Sequence, residues 1–475
     1  MFDLVITNGL TVLPGGAKEA DIAVIGQTIV AIGAPRALAK IGATRIVDAK
    51  GQIVIPGGVD PHIHCGLTLP GPGGSTMTSE SPAVVSKSGL FGGTTTICDF
   101  VFWKPGETLH KSVENRRDTF DEKTYSDFAL HLAVESPMGR EILAEIAPLV
   151  KAGYPTVKMF TTDITPGRMA HLTNHGEIWE VFKILAEAGG LALIHAEDND
   201  LVMHMYEKLI ADDKAGFEHL AEAHTVLSEE LSFNRVIGLA ENVPGAAVYM
   251  VHTSARTGVA SIARSRAKGF PIYGETLHQY VLFNAEDYKR PNGQIYHTYP
   301  SLKYPEDQAA LWAGMRGGDL QCVATDDLCC PLEIKLIGNR IDDTTGGNTG
   351  AEPRVSVMYT EMVTKRGFSL EHFTDLVSTN AAKILGLYPR KGVLQVGSDA
   401  DIVLLDPGLA HKIDGGALHA VDYSPWDGWD VSVWPSMTVL RGKVMVEGGQ
   451  FNGALSDGLF IPRAIPEEIR KGPAV

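Results

Sequence analysis

The chain has 475 residues, 44% hydrophobic and 21% charged, a balance that suits a packed globule and excludes wholesale disorder. Its 41 Lys and Arg against 57 Asp and Glu leave a net charge of −16, a surface that repels phosphate backbones and anionic lipid heads, so neither nucleic acid nor a membrane is an expected partner. No stretch reaches the ~18 uninterrupted apolar residues of a membrane span, and MFDLVITNGL lacks a basic segment ahead of an apolar one, so a cytoplasmic chain is expected.

Residues 3–9, 20–33 and 45–57 are short β-type runs broken by Asn-Gly and Gly-Gln turn signals. The same texture returns at 398–406, 436–449 and around Phe451. This predicts a small β-sandwich built from both termini, residues 1–54 and 393–455, with 456–475 left as a tail. Between them lie eight buried strand-like runs, at 53–60, 94–100, 127–134, 156–160, 191–195, 247–252, 270–275 and 320–326. Amphipathic segments such as 138–152, 175–189 and 254–268 separate them. Strand then helix, eight times over, predicts an α/β fold, a (β/α)₈ TIM barrel spanning 55–392. An open doubly wound sheet is the rival, but it would carry a Gly-rich phosphate turn after its first strand; here that strand runs into Asp60-Pro61-His62-Ile63-His64. Five cysteines without C-x-x-C spacing predict reduced, buried thiols rather than disulfides or a thiolate zinc site.

In an extended segment residues i and i+2 point the same way, so His62 and His64 present two imidazoles together. Alone, such a pair fits a structural role equally well, and a lone His195 or His252 fits a satisfied core histidine better. Position changes the balance, because His62, His64, Lys158, His195, His252 and Asp326 all fall at or near the C-terminal ends of barrel runs. Four imidazoles and a carboxylate at a barrel mouth fit a divalent first-row metal site. Other histidines, His110, His131, His171 and His297 among them, lack this combination and are expected to be structural or superficial. Lys158 has no lone pair for a metal while protonated. It is either a buried lysine paired with a carboxylate or a lysine carboxylated on its ε-nitrogen, an anion able to bridge two cations. Asp326 could complete the coordination shell, and could also take a proton from the attacking water and pass it to a leaving nitrogen.

The strings Pro56-Gly57-Gly58-Val59-Asp60-Pro61-His62-Ile63-His64, Phe91-Gly92-Gly93-Thr94-Thr95-Thr96, Val157-Lys158-Met159-Phe160 and His195-Ala196-Glu197 are ordered along the chain. Gly274-Glu275-Thr276 with Gln279-Tyr280, residues 381–392 and residues 396–403 continue the series. Together they resemble the cyclic amidohydrolases of the hydantoinase and dihydropyrimidinase type, within the amidohydrolase superfamily, over nearly the whole chain. The resemblance implies opening of a cyclic amide or imide ring by a metal-bridging hydroxide, with Asp326 as general base and then acid. It implies two divalent ions, zinc in the first place and manganese as the alternative. His62, His64 and Asp326 would hold one, His195 and His252 the other, with carboxylated Lys158 between them. It also implies a homo-oligomer, a tetramer.

Three positions that contact the substrate ring in this family depart from its pattern. Asp163 stands where a tyrosine five residues after the bridging lysine serves the developing oxyanion. Tyr299-Pro300-Ser301-Leu302-Lys303 replaces Ser-Pro-Pro-Leu-Arg, and Gly346 replaces an Asn before Gly350-Ala351-Glu352-Pro353-Arg354. The tyrosine's work could pass to Tyr299, to Thr161 or Thr162, or to metal alone. Loops 65–76, 100–106 and 161–168 correspond to the family's substrate-gating loops, so a non-standard ring is an open reading. A different cyclic ureide, imide or lactam such as allantoin is the alternative substrate, and a non-catalytic scaffold that keeps its metals is the alternative function. Dihydroorotate is disfavoured by Gly66, where an Arg would hold its carboxylate.

Overall fold

All eight apolar runs between 53 and 326 form strands of one parallel sheet, in chain order around a barrel. The computed structural model describes residues 1–70, 76–168 and 172–475. The strands are β1 (Gly58–Asp60), β2 (Thr94–Phe102), β3 (Asp127–Ala133), β4 (Thr156–Phe160), β5 (Leu191–His195), β6 (Val248–Met250), β7 (Ile272–Leu277) and β8 (Cys322–Ala324). Their residues are buried on both faces, as expected for a parallel sheet wrapped by helices. The amphipathic segments become helices at Arg140–Lys151, His175–Ala188 and Arg256–Arg266. Closure between β8 and β1 is made just beyond the strands: Asp326 N–H donates to His62 O at 2.9 Å and His64 N–H to Asp327 O at 2.7 Å.

Both termini build the second sheet, of nine strands. Its centre is Phe2–Leu13 beside Ile53–Pro56 and Ile402–Asp406, with hairpins Gly16–Ile25/Thr28–Gly33 on one side and Trp434–Leu440/Lys443–Glu447 on the other. The outer strand returns to the far half, Ile29 N–H donating to Ser398 O at 3.0 Å and Ala400 N–H to Gln27 O at 2.8 Å. The sheet thereby curls around one apolar core that joins Leu4, Ile22 and Ile29 to Ile402, Leu404 and Val439. Gly26-Gln27 is the hairpin turn the sequence suggests. Asn8-Gly9 is not: Asn8 sits inside Phe2–Leu13 at φ 62°, where the pairing slips between Ile6 and Gly9, so the Asn-Gly signal marks a bulge.

The run 53–60 divides at Gly57, with Ile53–Pro56 in the terminal sheet and Gly58–Asp60 opening the barrel. A Cβ at Gly57 would fall 2.0 Å from Thr95 Oγ1, so only glycine lets the chain pass from one sheet to the other here. Residues 456–475 are more than a tail. Ile461, Ile465 and Ile469 pack with Cys98, Tyr249 and Tyr273, and Tyr273 Oη donates to Ile469 O at 2.8 Å. All five cysteines are buried and unpaired. Among the described residues no helix is long and apolar enough to cross a membrane.

A buried ion cluster joins the two sheets. Lys391 Nζ lies 2.5 Å from Asp127 Oδ2 at the start of β3, 2.8 Å from Asp401 Oδ2 and 3.0 Å from Asp399 Oδ2, and Arg441 also pairs with Asp127. Burial works against the Lys391 charge, yet the three carboxylates outweigh it and raise its pKa. Removing one partner leaves uncompensated buried charge. Lys391→Met should therefore lower the unfolding free energy by about 3–5 kcal/mol in a denaturant titration, and a loss under 1 kcal/mol would show that the cluster contributes little.

Candidate metal centre and cavity

Residues just past a barrel strand emerge at its C-terminal mouth, as His62, His64, His252 and Asp326 do, while His195 ends β5 and Lys158 lies within β4. All six line one cavity of about 520 Å³. Asp326 Oδ1 lies 3.2 Å from His62 Nε2 and 3.1 Å from His64 Nε2, and His195 Nδ1 lies 3.0 Å from His252 Nε2. Ligand-type atoms of His62, His252 and Asp326 all fall within 4.8 Å of one another. Two of the six adopt left-handed backbone, His252 at φ 36° and Asp326 at φ 50°. Non-glycine residues persist in that region only where their surroundings hold them, as at functional sites.

Two of the four imidazoles, His62 and His195, are held from behind by a carboxylate. His62 Nδ1 lies 2.9 Å from Glu275 Oε1, which also accepts from His252 N–H at 3.0 Å, while Tyr249 Oη donates to Glu275 Oε2 at 2.9 Å. His195 Nε2 lies 3.0 Å from Glu197 Oε2, whose other oxygen is 2.9 Å from His224 Nδ1. This fixes which ring nitrogen faces the cavity, Nε2 for His62 and Nδ1 for His195. Sequence reasoning singled out neither carboxylate as a support, although both stand in quoted strings, and it missed His224 altogether. Another buried carboxylate, Asp60, accepts from Thr325 Oγ1 at 2.8 Å and lies 3.6 Å from Arg354 Nε, bracing the β8–β1 junction from below.

Burial lowers the proton affinity of His62, His195 and His252, so these rings are neutral and carry lone pairs. Burial also brings Lys158 down to about 8, against the pull of Asp326 and Glu275. Its Nζ makes no hydrogen bond or ion pair with the described residues and faces the rings of Phe100 and Phe160 at 5.3 and 5.0 Å. Asp326 is held below the ordinary carboxylate range, because His62, His64 and Lys158 outweigh its burial. Four imidazoles, one carboxylate and a lysine amine form a donor set that fits divalent cations.

A model of the amidohydrolase family matches residues 53–445. The chain belongs to the amidohydrolase family. This amidohydrolase is 32% identical to a D-hydantoinase of Geobacillus stearothermophilus over 465 residues, 97% of this chain and 96% of that one. Among solved structures it resembles a dihydropyrimidinase from Brevibacillus agri NCHU1002 with a TM-score of 0.89 and 30% identity, covering 98% and 99% of the two chains. An L-hydantoinase from Arthrobacter aurescens matches with a TM-score of 0.86 and 27% identity, covering 98% and 100%. The family implies a divalent metal centre, and the cavity holds the side chains to make one.

The three departing positions fall differently. Tyr299 and Gly346 line the cavity, while Asp163 is absent from its described lining: its Oδ1 accepts from Leu172 N–H at 3.0 Å and its own N–H donates to Asn199 Oδ1 at 3.0 Å. Its neighbour Ile164, at φ 70°, faces the cavity instead. Of the histidines set aside, His110 is half-exposed beside Glu145, His131 is buried between Thr156 and Pro61, and His297 packs on Tyr299. His171 and gating-loop residues 71–75 lie outside the described residues.

The carboxylates behind the rings carry a direct test. Glu197→Gln and Glu275→Gln should each weaken divalent metal binding by about 10–100-fold in chelator competition while the fold is kept; wild-type affinity in both would show that they do not orient the rings.

Proposed function

We propose that the chain is a cyclic amidohydrolase of the hydantoinase and dihydropyrimidinase type, cleaving the ring C–N bond of a small cyclic amide or imide. One observation carries this reading: all six ligand-type side chains line one cavity at the barrel mouth, large enough for a substituted ring, with the outer ring nitrogens of His62 and His195 held by Glu275 and Glu197. Bound there, divalent cations lower the pKa of water towards neutrality and polarise a carbonyl. His62, His64 and Asp326 would hold one ion and His195 and His252 the other, zinc being the proposed pair. Lys158 would bridge them as its N6-carboxylate. Its unpartnered position supports this, because a neutral buried amine is the form that adds carbon dioxide, and the resulting anion would balance cationic charge at the mouth.

Asp326 acts as the proton carrier. It takes a proton from the water whose oxygen bonds to the carbonyl carbon, and returns it to the ring nitrogen as the C–N bond breaks, leaving an open-chain carboxylate. Leu67, Phe102, Trp103, Phe160 and Ile164 give the outer cavity an apolar wall that excludes water and takes the ring's substituent. A cytoplasmic homotetramer is the proposed form. Trp179, Leu227 and Leu231, 42%, 51% and 38% exposed on adjoining helices, offer an apolar face for a second copy.

A panel of five- and six-membered cyclic ureides, imides and lactams, run on metal-replete protein, should show turnover of at least one ring, lost on chelation and restored by divalent ions. Metal-replete protein that opens none of them would leave only a scaffold. Lys158→Ala should bind fewer ions per chain and lose at least about 10³-fold in kcat; unchanged metal stoichiometry would remove lysine from the bridge.

A further inference from the structure

Tyr299 and Gly346 depart from the family pattern in opposite senses, a large residue for a small one and a small residue for a larger one. The structure makes them a single change. A Cβ added at Gly346 would fall 2.3 Å from Tyr299 Cε2 and 2.7 Å from Cδ2, so no side chain fits at 346 while the ring occupies its place. The ring is 8% exposed, packs against His297 at 4.6 Å and His224 at 5.1 Å, and reaches the cavity that holds Lys158, His252 and Asp326.

Tyr299 is the one phenol among the described lining residues. The other hydroxyls considered for an oxyanion are engaged elsewhere. Thr161 Oγ1 donates to Glu197 O at 2.7 Å, Thr162 Oγ1 donates to Asn199 Oδ1 at 3.3 Å, and neither lines the cavity. Asp163, an acceptor when ionised, turns to the Leu172 backbone. The Tyr299 hydroxyl, by contrast, has a support behind it. It accepts from Tyr206, a bond that favours the protonated Tyr206 and leaves Tyr299 its own proton to donate; Tyr206 Oη lies 2.9 Å from His224 Nε2, and His224 Nδ1 lies 2.9 Å from Glu197. That chain ends on the carboxylate that also holds His195.

Resting on the hydrolase reading above, we propose that Tyr299 is the hydrogen-bond donor to the substrate carbonyl oxygen as it gains negative charge, with Gly346 admitting its ring and Tyr206 positioning its hydroxyl. The phenol then reaches the oxyanion from the loop after β7, where the family supplies it from the loop after β4. A donor that acts on developing charge affects kcat far more than substrate binding.

Two measurements test the two halves. On a ring that the wild type opens, Tyr299→Phe should lower kcat by about 10²-fold with KM within about threefold and bound metal unchanged. A wild-type kcat, or a loss confined to KM, overturns the donor role. Wild-type protein that opens no ring overturns the hydrolase reading and the donor role with it. The packing half is read on metal-replete protein by thermal unfolding. Gly346→Ala should lower the midpoint by several degrees alone, and by much less in a Tyr299→Ser background; an equal loss in both backgrounds overturns the coupling of 299 with 346.

Discussion

Two backbone hydrogen bonds, Asp326 N–H to His62 O and His64 N–H to Asp327 O, close the barrel at the point where its chemistry is gathered. They bind the end of the last strand to the end of the first, so three ligand-type side chains from opposite ends of the barrel sequence are fixed by main chain rather than by rotamer preference. Asp326 meets that geometry only in left-handed backbone, at φ 50°. The buried Asp60, bonded to Thr325 and facing Arg354, braces the same junction, which makes the conformation affordable within a rigid frame. A loose seam between β8 and β1 would separate Asp326 from His62 and His64 while leaving the rest of the barrel intact.

Charge at the mouth is arranged around that seam. Burial lowers the proton affinity of His62, His195 and His252 and weakens the hold of Lys158 on its proton, while His62, His64 and Lys158 hold Asp326 below the ordinary carboxylate range. Behind the rings, burial raises Glu275 to about 8, whereas His224 and His195 outweigh burial at Glu197 and lower it. Two carboxylates in similar supporting positions thus sit in opposite protonation environments. Glu275 shares its oxygens with His62, His252 N–H and Tyr249, while Glu197 is pinned between two imidazoles.

The barrel was legible because its strands are buried on both faces and read as unbroken apolar runs, and because the ligand-type residues close those runs. The terminal sheet was legible from its hairpin texture, but its exchange at Gly57 was not, since Ile53–Pro56 and Gly58–Asp60 form one apolar run whose halves pair with different partners. Asn8-Gly9 carries the composition of a hairpin turn, and only the pairing on both sides makes it a bulge. His224 left no local signal: it lies on a helical connection 27 residues beyond Glu197, and what makes it part of the site is burial against Tyr206 and Tyr299. Residues 460–469 read as a polar end with scattered isoleucines, too short for a periodic pattern, yet they cover the barrel floor.

Of the three departing positions Tyr299 and Gly346 line the cavity and Asp163 is turned away from it, and none of them is one of the six ligand-type residues. That division follows from how the two sets of positions are built. Ligand-type residues issue from strand ends held on both flanks, so a change there disturbs the sheet, whereas Asp163, Tyr299 and Gly346 lie on connections that can exchange volume between neighbours. The 2.3 Å approach at Gly346 shows such an exchange: a ring gained on one loop needs a side chain lost on another. The cavity wall is accordingly the joint shape of the loops after β4, β7 and β8, and a side chain restored at 346 alone would meet space that Tyr299 already fills.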